Sequence, residues 1–248
     1  MHPHTTQLLL ELNQRFYHDF GRAFAATRRR VQPGMQRAAA GLPQAGNWLD
    51  LGCGSGELAR YLAKSGFSGR YLGLDSSAEL LSEAGQDLPH TPGFSAAYRQ
   101  ADLAAEGWAE GLAPGAWQMI SCFAVLHHLP GDELRAGVLR QARRLLAAEG
   151  RLALSVWQFQ HSPKLAARIL PWERVGLSAA QVEPGDTLLD WRYALPGQAE
   201  QVGLRYVHLF SREELAGLAE SCGFAVESEY ESDGAGGRLG YYQIWRGN

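Results

Sequence analysis

Leu8, Leu9, Leu12, Phe16, Phe20 and Phe24 recur every three or four residues behind Thr5 and Thr6. That spacing predicts an amphipathic helix with an N-cap hydroxyl at hand. The arginine run Arg28 to Arg30 follows, and Pro33 with Gly34 ends it before a short helical piece reaching Ala40. From Asn47 the period switches. The pattern predicts a strand at 47–51, a helix over 57–65, a strand at 70–74 and a helix over 78–84, which is a βαβ rhythm. A third strand at 96–99, a fourth at 117–123, a helix over 133–146 and a fifth strand at 151–157 continue it. Strands so uniformly apolar imply a parallel sheet covered on both faces.

Residues 158–204 break the rhythm with Pro163, Pro171, Pro184, Pro196 and several tryptophans. They are too apolar for a linker and too irregular for a sheet element, so they read as a lid-like insertion. Ser211 with Glu214 makes a capping box for a helix to Ser221, and 224–230 and 241–245 read as strands around a Gly-rich turn. The expected architecture is one α/β domain around a mostly parallel seven-stranded sheet, closed by a C-terminal antiparallel hairpin. Its parts are a helical cap (1–46), a ligand-binding core (47–157), the insertion (158–204) and a terminal helix and hairpin (205–248).

Composition narrows the class. A chain of 248 residues suits one well-cored domain, and 46% hydrophobic with 20% charged residues excludes a disordered chain. The net charge of -3 supplies no field for a polyanion, so nucleic-acid binding would need a local basic patch. Lys64 and Lys164 are the only lysines. Arginine therefore carries the positive charge, and its planar fork suits carboxylates and phosphates. Cys53, Cys122 and Cys222 are odd in number and far apart, which suggests neither a disulfide framework nor a zinc cage. A cytoplasmic protein without a metal is expected, and the terminal pair His2 and His4 is not read as a metal site. No signal-like segment opens the chain and no apolar run approaches the roughly 20 residues that span a bilayer.

Asp50-Leu51-Gly52-Cys53-Gly54-Ser55-Gly56 leaves a strand and enters a helix, so its glycines can admit a ligand to the backbone at a helix N-terminus. A dinucleotide fingerprint would need glycine where Glu57 stands. The spacing is GxGxG instead, and an acid there repels a pyrophosphate. Asp50 suits a ligand with a cationic amino-acid end, such as S-adenosylmethionine. Asp75 ends the second strand nineteen residues beyond Gly56, where an acid accepts both ribose hydroxyls; capping the next helix, a task open also to Ser76 or Ser77, is the plainer role. Asp102, after the third strand, can accept from an adenine amino group while Leu103 stacks on the ring.

The motifs DLGCGSG, GLDSS, ADL and ISCFAVLHHL, spread over about 47–157, resemble those of class I S-adenosylmethionine-dependent methyltransferases. The resemblance implies a Rossmann-like fold, S-adenosylmethionine as cofactor and S-adenosylhomocysteine as product. It implies a cofactor site of Asp50, Gly52, Cys53, Gly54, Gly56, Asp75, Ser76, Asp102, Leu103 and Phe123. The rest of the chain is similar to the tRNA wobble-uridine carboxymethyl methyltransferases. Tyr17, Thr27 and Arg28 match their tyrosine and TR pair; Gly185 with Asp186, then Trp191, and Arg205 to Phe210 match a GD segment, a tryptophan and an RYYHLF-like element. Asp190, Val207 and the lack of a terminal acidic-Asn-Trp element depart from that pattern. This narrower resemblance adds Tyr17 and Arg28 to the cofactor contacts. It assigns the acceptor to Arg28, His128, Trp157, Trp191, Arg205, Tyr206 and His208, names tRNA as that acceptor, and implies a small zinc-binding activator subunit.

His127 and His128 follow the fourth strand, at the edge where open parallel sheets bind ligands, and one of them is expected to face the acceptor. No paired carboxylates, Ser-His-Asp set or metal-ligand spacing supplies a nucleophile. Direct displacement is therefore expected, aligned by Arg205 and Tyr17 with a histidine alongside. Three readings stay open: esterification of a carboxymethyl group on a wobble uridine; transfer to a small acid or phenol beneath the aromatic insertion, which the charge balance favours; and a non-catalytic cofactor-binding or partner subunit.

Overall fold

The computed structural model describes residues 1–26, 30–86, 88–194 and 199–248. α1 (Pro3–Ala26) and α2 (Pro33–Ala40) each open on a proline, whose fixed φ suits the first helical position. β1 (Ala45–Leu51), α3 (Glu57–Lys64), β2 (Ser68–Asp75), α4 (Ala78–Ala84), β3 (Phe94–Gln100), β4 (Trp117–Phe123), α5 (Asp132–Leu145) and β5 (Leu146–Trp157) then alternate as the sequence predicts. The insertion contributes α6 (Pro163–Ala166), β6 (Ile169–Leu170), β7 (Asp186–Tyr193) and β8 (Gln201–His208). α7 (Arg212–Ser221), β9 (Phe224–Ser232) and β10 (Gly240–Gly247) finish the chain, and the capping box of Ser211 and Glu214 is formed at the start of α7.

The central sheet has seven strands in the order β3-β2-β1-β4-β5-β10-β9. Neighbours from β3 to β5 are parallel, and β10 runs antiparallel to β5 and β9. The winding reverses between β1 and β4, and open α/β sheets bind ligands at such a switch point, outside the carboxyl ends of the strands. Successive residues serve opposite faces, as the two-residue strand period requires. Leu49, Ile120, Leu152 and Leu154 pack with Leu139 and Ala142 of α5, while Trp48, Met119 and Ala153 pack with Leu58 and Leu62 of α3. Each fully buried large side chain there contributes about 1.5 to 3 kcal/mol.

The insertion corrects one expectation: it is built on a sheet. β6, β7 and β8 form a small antiparallel sheet, with Asp186 opposite His208 and Tyr193 opposite Gln201. Prolines on its connections and the brevity of β6 hid the alternation, and β8 runs across the expected boundary at 204.

This sheet is fastened to the central one through charge. Arg135 on α5 is fully buried and donates to the Leu129 carbonyl (2.9 Å), to Asp132 (2.7 Å) and to the Tyr206 hydroxyl (2.9 Å). Tyr206 passes a hydrogen bond to Asp186 (2.7 Å), and His208 stands 2.7 Å from both Asp186 and Glu214. A ring facing carboxylates through both nitrogens must carry both protons. Burial alone lowers the His208 pKa, but the two carboxylates outweigh it and hold it above the ordinary value. Removing one partner of a buried ion cluster costs about 3 to 5 kcal/mol. Arg135→Met should therefore lose about that much in urea denaturation; a change near zero would show that the cluster does not fasten the sheets.

Candidate active site

The turn after β1 is drawn against β2. Gly52 and Cys53 donate to the Leu74 carbonyl at 2.8 and 2.9 Å, and Gly52, Gly54 and Gly56 take φ of 75°, 54° and 78°. A Cβ on Gly52 would run into Val125, whereas one on Gly54 would meet nothing within 4 Å. Gly54 thus leaves a bare stretch of backbone open to a ligand at the start of α3.

Asp50 stands elsewhere than expected. Its carboxylate is buried and accepts from Tyr71 (2.5 Å) and Ser121 (2.5 Å), with the Trp48 indole donating to Ser121 at 2.8 Å. The chain of bonds ties β1 to β2 and β4. Burial pushes the Asp50 pKa up to about 6, against the two hydroxyls that lower it. A ligand ammonium would have to displace both hydroxyls, so the acid reads as a strut under the turn. Asp75 is only half-buried: one oxygen accepts from Gly54 (2.8 Å), the other from Ser77 (2.9 Å). Each oxygen keeps a second lone pair. The capping task falls to Ser77, whose hydroxyl accepts from Leu80 at 3.2 Å, and Ser76 is exposed. Asp102 accepts from the Ala104 amide (2.9 Å) and from Gln14 of α1 (3.1 Å), with Leu103 buried beside it. Phe123 is buried against Tyr242, their rings 6.0 Å apart.

α1 crosses the carboxyl edge of the sheet and builds the other half of the site. Asn13 accepts from the Tyr206 amide (2.8 Å) and donates to the carbonyls of Tyr206 (3.2 Å) and His128 (3.1 Å). One turn on, the Tyr17 hydroxyl lies 3.0 Å from His128 Nε2. Neither Asn13 nor Gln14 stands out in the sequence, because a polar residue on an amphipathic helix looks like solvated surface. The two histidines part company. His127 is fully buried, stacks on Trp157 at 5.2 Å and accepts from the Trp157 amide at 3.3 Å, while His128 is half-exposed. Buried in this way, His127 turns no face toward an acceptor, which corrects the expectation that placed it in the catalytic set. Arg205 lies over the Trp157 ring (4.5 Å) and near the Phe16 ring (5.4 Å), and Trp191 meets Phe16 and Phe20 at 5.8 and 5.5 Å. Tyr206 and His208 were expected at the acceptor, but both are buried in the Arg135 cluster. Thr27 and Arg28 lie outside the described residues.

A family model described as a methyltransferase domain matches residues 23–229. The chain belongs to that family. It is an S-adenosylmethionine-dependent methyltransferase. A ubiquinone biosynthesis O-methyltransferase of Methylococcus capsulatus is 35% identical over 107 residues, covering 43% of this methyltransferase and 41% of that protein. The same-named protein of Sodalis glossinidius is 33% identical, over 44% and 40%. The methyltransferase thus aligns with only about two-fifths of the length of these curated relatives. Its fold is shared with an S-adenosylmethionine-dependent methyltransferase of Methanosarcina mazei (TM-score 0.63, 21% identity, 88% and 98% of the two chains). It is shared too with magnesium protoporphyrin IX methyltransferase of Synechocystis, solved with bound S-adenosylhomocysteine (TM-score 0.55, 20% identity, 86% and 78%).

The residues of this methyltransferase fit the cofactor: bare backbone at Gly54, a half-buried acid at Asp75 and the Asp102–Leu103 pair lie along the carboxyl ends of β1, β2 and β3. Among the described residues no group of three or more His, Cys, Asp or Glu is placed to hold a metal, and no helix is long and apolar enough to cross a membrane. Losing a charge-assisted hydrogen bond costs about 1.5 to 3 kcal/mol, so Asp75→Ala should weaken S-adenosylhomocysteine binding about ten- to a hundredfold in calorimetry. Asp50 sets a pH dependence. Its pKa is raised from the ordinary carboxylate value to about 6 in the fold, so between those values the folded protein holds a proton that the unfolded chain has released. Unfolding stability should then fall as pH rises through that window. Asp50→Asn should flatten the Tm-against-pH curve there; an unchanged slope would free Asp50 from this role.

Proposed function

We propose that this methyltransferase transfers the methyl group of S-adenosylmethionine to an oxygen of a small aromatic acceptor. The observation that carries this reading is the cluster of rings where α1 meets β8 and the turn after β4, in which Phe16, Phe20, Trp157 and Trp191 gather around Tyr17, His128 and Arg205. Ring faces and edges of this kind suit a flat apolar molecule with a few polar contacts. RNA binding asks for cations that reach phosphate, yet Arg205 is 1% exposed and Tyr206 and His208 turn inward. The relatives named for O-methylation in ubiquinone biosynthesis support an oxygen on a small molecule.

When bound, S-adenosylmethionine supplies a sulfonium methyl that an acceptor lone pair can take, the C–S pair returning to sulfur. The chain's own share is alignment. Gly54, Asp75, Asp102 and Leu103 hold the cofactor, with Cys53 and Phe123 lining it; Tyr17 and His128 meet the reacting oxygen with Trp191 beside them, and Arg205 stays buried behind them over Trp157. Holding two reactants in line supplies on the order of 7 to 11 kcal/mol, more than any single side chain here. Methyl-labelled S-adenosylmethionine incubated with a panel of phenols, aromatic acids and bulk tRNA should label a small aromatic compound in a single turnover. Label in tRNA alone would reverse the reading in favour of the wobble-uridine esterification, and no label anywhere would favour a binding subunit.

A further inference from the structure

We infer that His208 is a proton-operated latch between the small sheet and α7: with both ring nitrogens protonated it bridges Asp186 to Glu214, and with one proton gone the bridge parts on the Glu214 side. The latch is independent of which acceptor is methylated. Asp186 stands at the head of β7 and Glu214 in the first turn of α7, and among the described residues His208 alone hydrogen-bonds both, at 2.7 Å from each ring nitrogen. Arg135 cannot take over. Its short bonds go to Leu129, Asp132 and Tyr206, and it stands 3.6 Å from Glu183 and Asp186 and 3.7 Å from Glu214, too far to hydrogen-bond them. The other charged groups of the cluster are Asp132, mostly solvated, and the Met1 amino group, 3.1 Å from Glu183.

Loss of one proton is felt on one side only. The ring itself is held: Gly185, in the left-handed region at φ 91°, brings its backbone so near that a Cβ there would stand 3.0 Å from His208 Cε1, and the Phe210 ring lies edge-on 4.6 Å away. A neutral imidazole keeps a single N–H. Asp186 retains it, being fully buried and fixed by the Tyr206 hydroxyl at 2.7 Å and the Glu183 amide at 2.9 Å. The bare Nε2 lone pair then faces a carboxylate oxygen at 2.7 Å, where two acceptors repel. Glu214 is the partner able to leave, because its side chain is 35% exposed and water can take over its bond. It takes part of the helix cap with it, since its other oxygen accepts from the Ser211 amide at 3.4 Å in the capping box that starts α7.

The sign of the pH dependence follows. Burial is the largest influence and works against charge on both partners, yet the bonds to Asp186 and Glu214 keep His208 above the ordinary histidine value, and His208 keeps Glu214 below the ordinary carboxylate value. A histidine raised in this way stabilises fully below its ordinary value and loses that contribution as pH rises through the raised one. The latch therefore opens on the alkaline side, while Arg135, Tyr206 and Asp186 keep β7 and β8 on α5.

Ring-nitrogen NMR of the full chain, with His208 assigned through its backbone, should show this side chain titrating above the free value of about 6.5. Hydrogen exchange, corrected for base catalysis, reads the latch at the amides of Glu214 and Leu215, which are bonded to Ser211 at 3.0 and 3.2 Å. Their opening should rise about tenfold per pH unit between the free value and the observed titration and level off beyond it, while β4 and β5 stay protected. Glu214→Gln, whose amide nitrogen can donate to the bare Nε2, should bring the titration down and erase the rise, and His208→Gln should show no rise at all. Titration of His208 at or below 6.5, amides that keep their protection through it, or a rise that persists in Glu214→Gln would each overturn the latch. A rise that persists in His208→Gln would also overturn it, assigning the step to another group such as the Met1 amine. Wild type and Glu214→Gln decide the matter even where His208→Gln does not fold.

Discussion

The side-chain amide of Asn13 is the constraint on which the site depends. β8 is the edge of the small sheet, and an edge strand leaves backbone groups in want of partners. Asn13 takes both groups of Tyr206, its oxygen accepting the amide and its nitrogen meeting the carbonyl, and so does the work of a neighbouring strand. The same nitrogen reaches the carbonyl of His128. One buried amide thereby holds α1, the small sheet and the turn after β4 together. Gln14 and Tyr17 then follow from helical geometry: they lie three residues apart on one face, and reach Asp102 after β3 and His128 in the turn after β4.

A second constraint is electrostatic. Two acids stand close behind the glycine turn, Asp50 deep and Asp75 half-open, and burial raises the pKa of each. Asp50 is tolerated because Tyr71 and Ser121 donate to it, and it cross-links three strands beneath the turn. Asp75 instead spends its bonds on the backbone of Gly54 and Ser77, so the acid that orders the turn is also the acid nearest the open side. A cationic cofactor placed there would be met by this negative field.

The central sheet was legible because its signal is periodic. Runs such as 117–123 and 78–84 coincide with β4 and α4 residue for residue, and the glycine turn with its following acids places the cofactor edge. The small sheet was not legible. Its strands sit among prolines, and Asp190, an acid in the middle of β7, reads as a loop residue until Arg192 pairs with it at 2.8 Å. Arg135 was hidden for a related reason: an arginine on α5 looks like solvated surface, and only the fold shows three acids converging on it. The paired histidines carried one bit of information the sequence could not order, which of them turns inward.

The likeness to the tRNA-modifying group also acquires a physical meaning. Within its RYYHLF-like element Tyr206 and His208 bond to Asp186, the aspartate of the GD segment, and all three close around Arg135. These matches therefore describe how the small sheet docks on the methyltransferase core. A docking solution of this kind serves any acceptor, because every group in it is buried. On the function proposed above, the acceptor meets Tyr17, His128 and Trp191, which are half-buried, where the docking residues Tyr206 and His208 are 0% and 1% exposed. A motif match in this element therefore argues for the lid's attachment and does not by itself name the substrate.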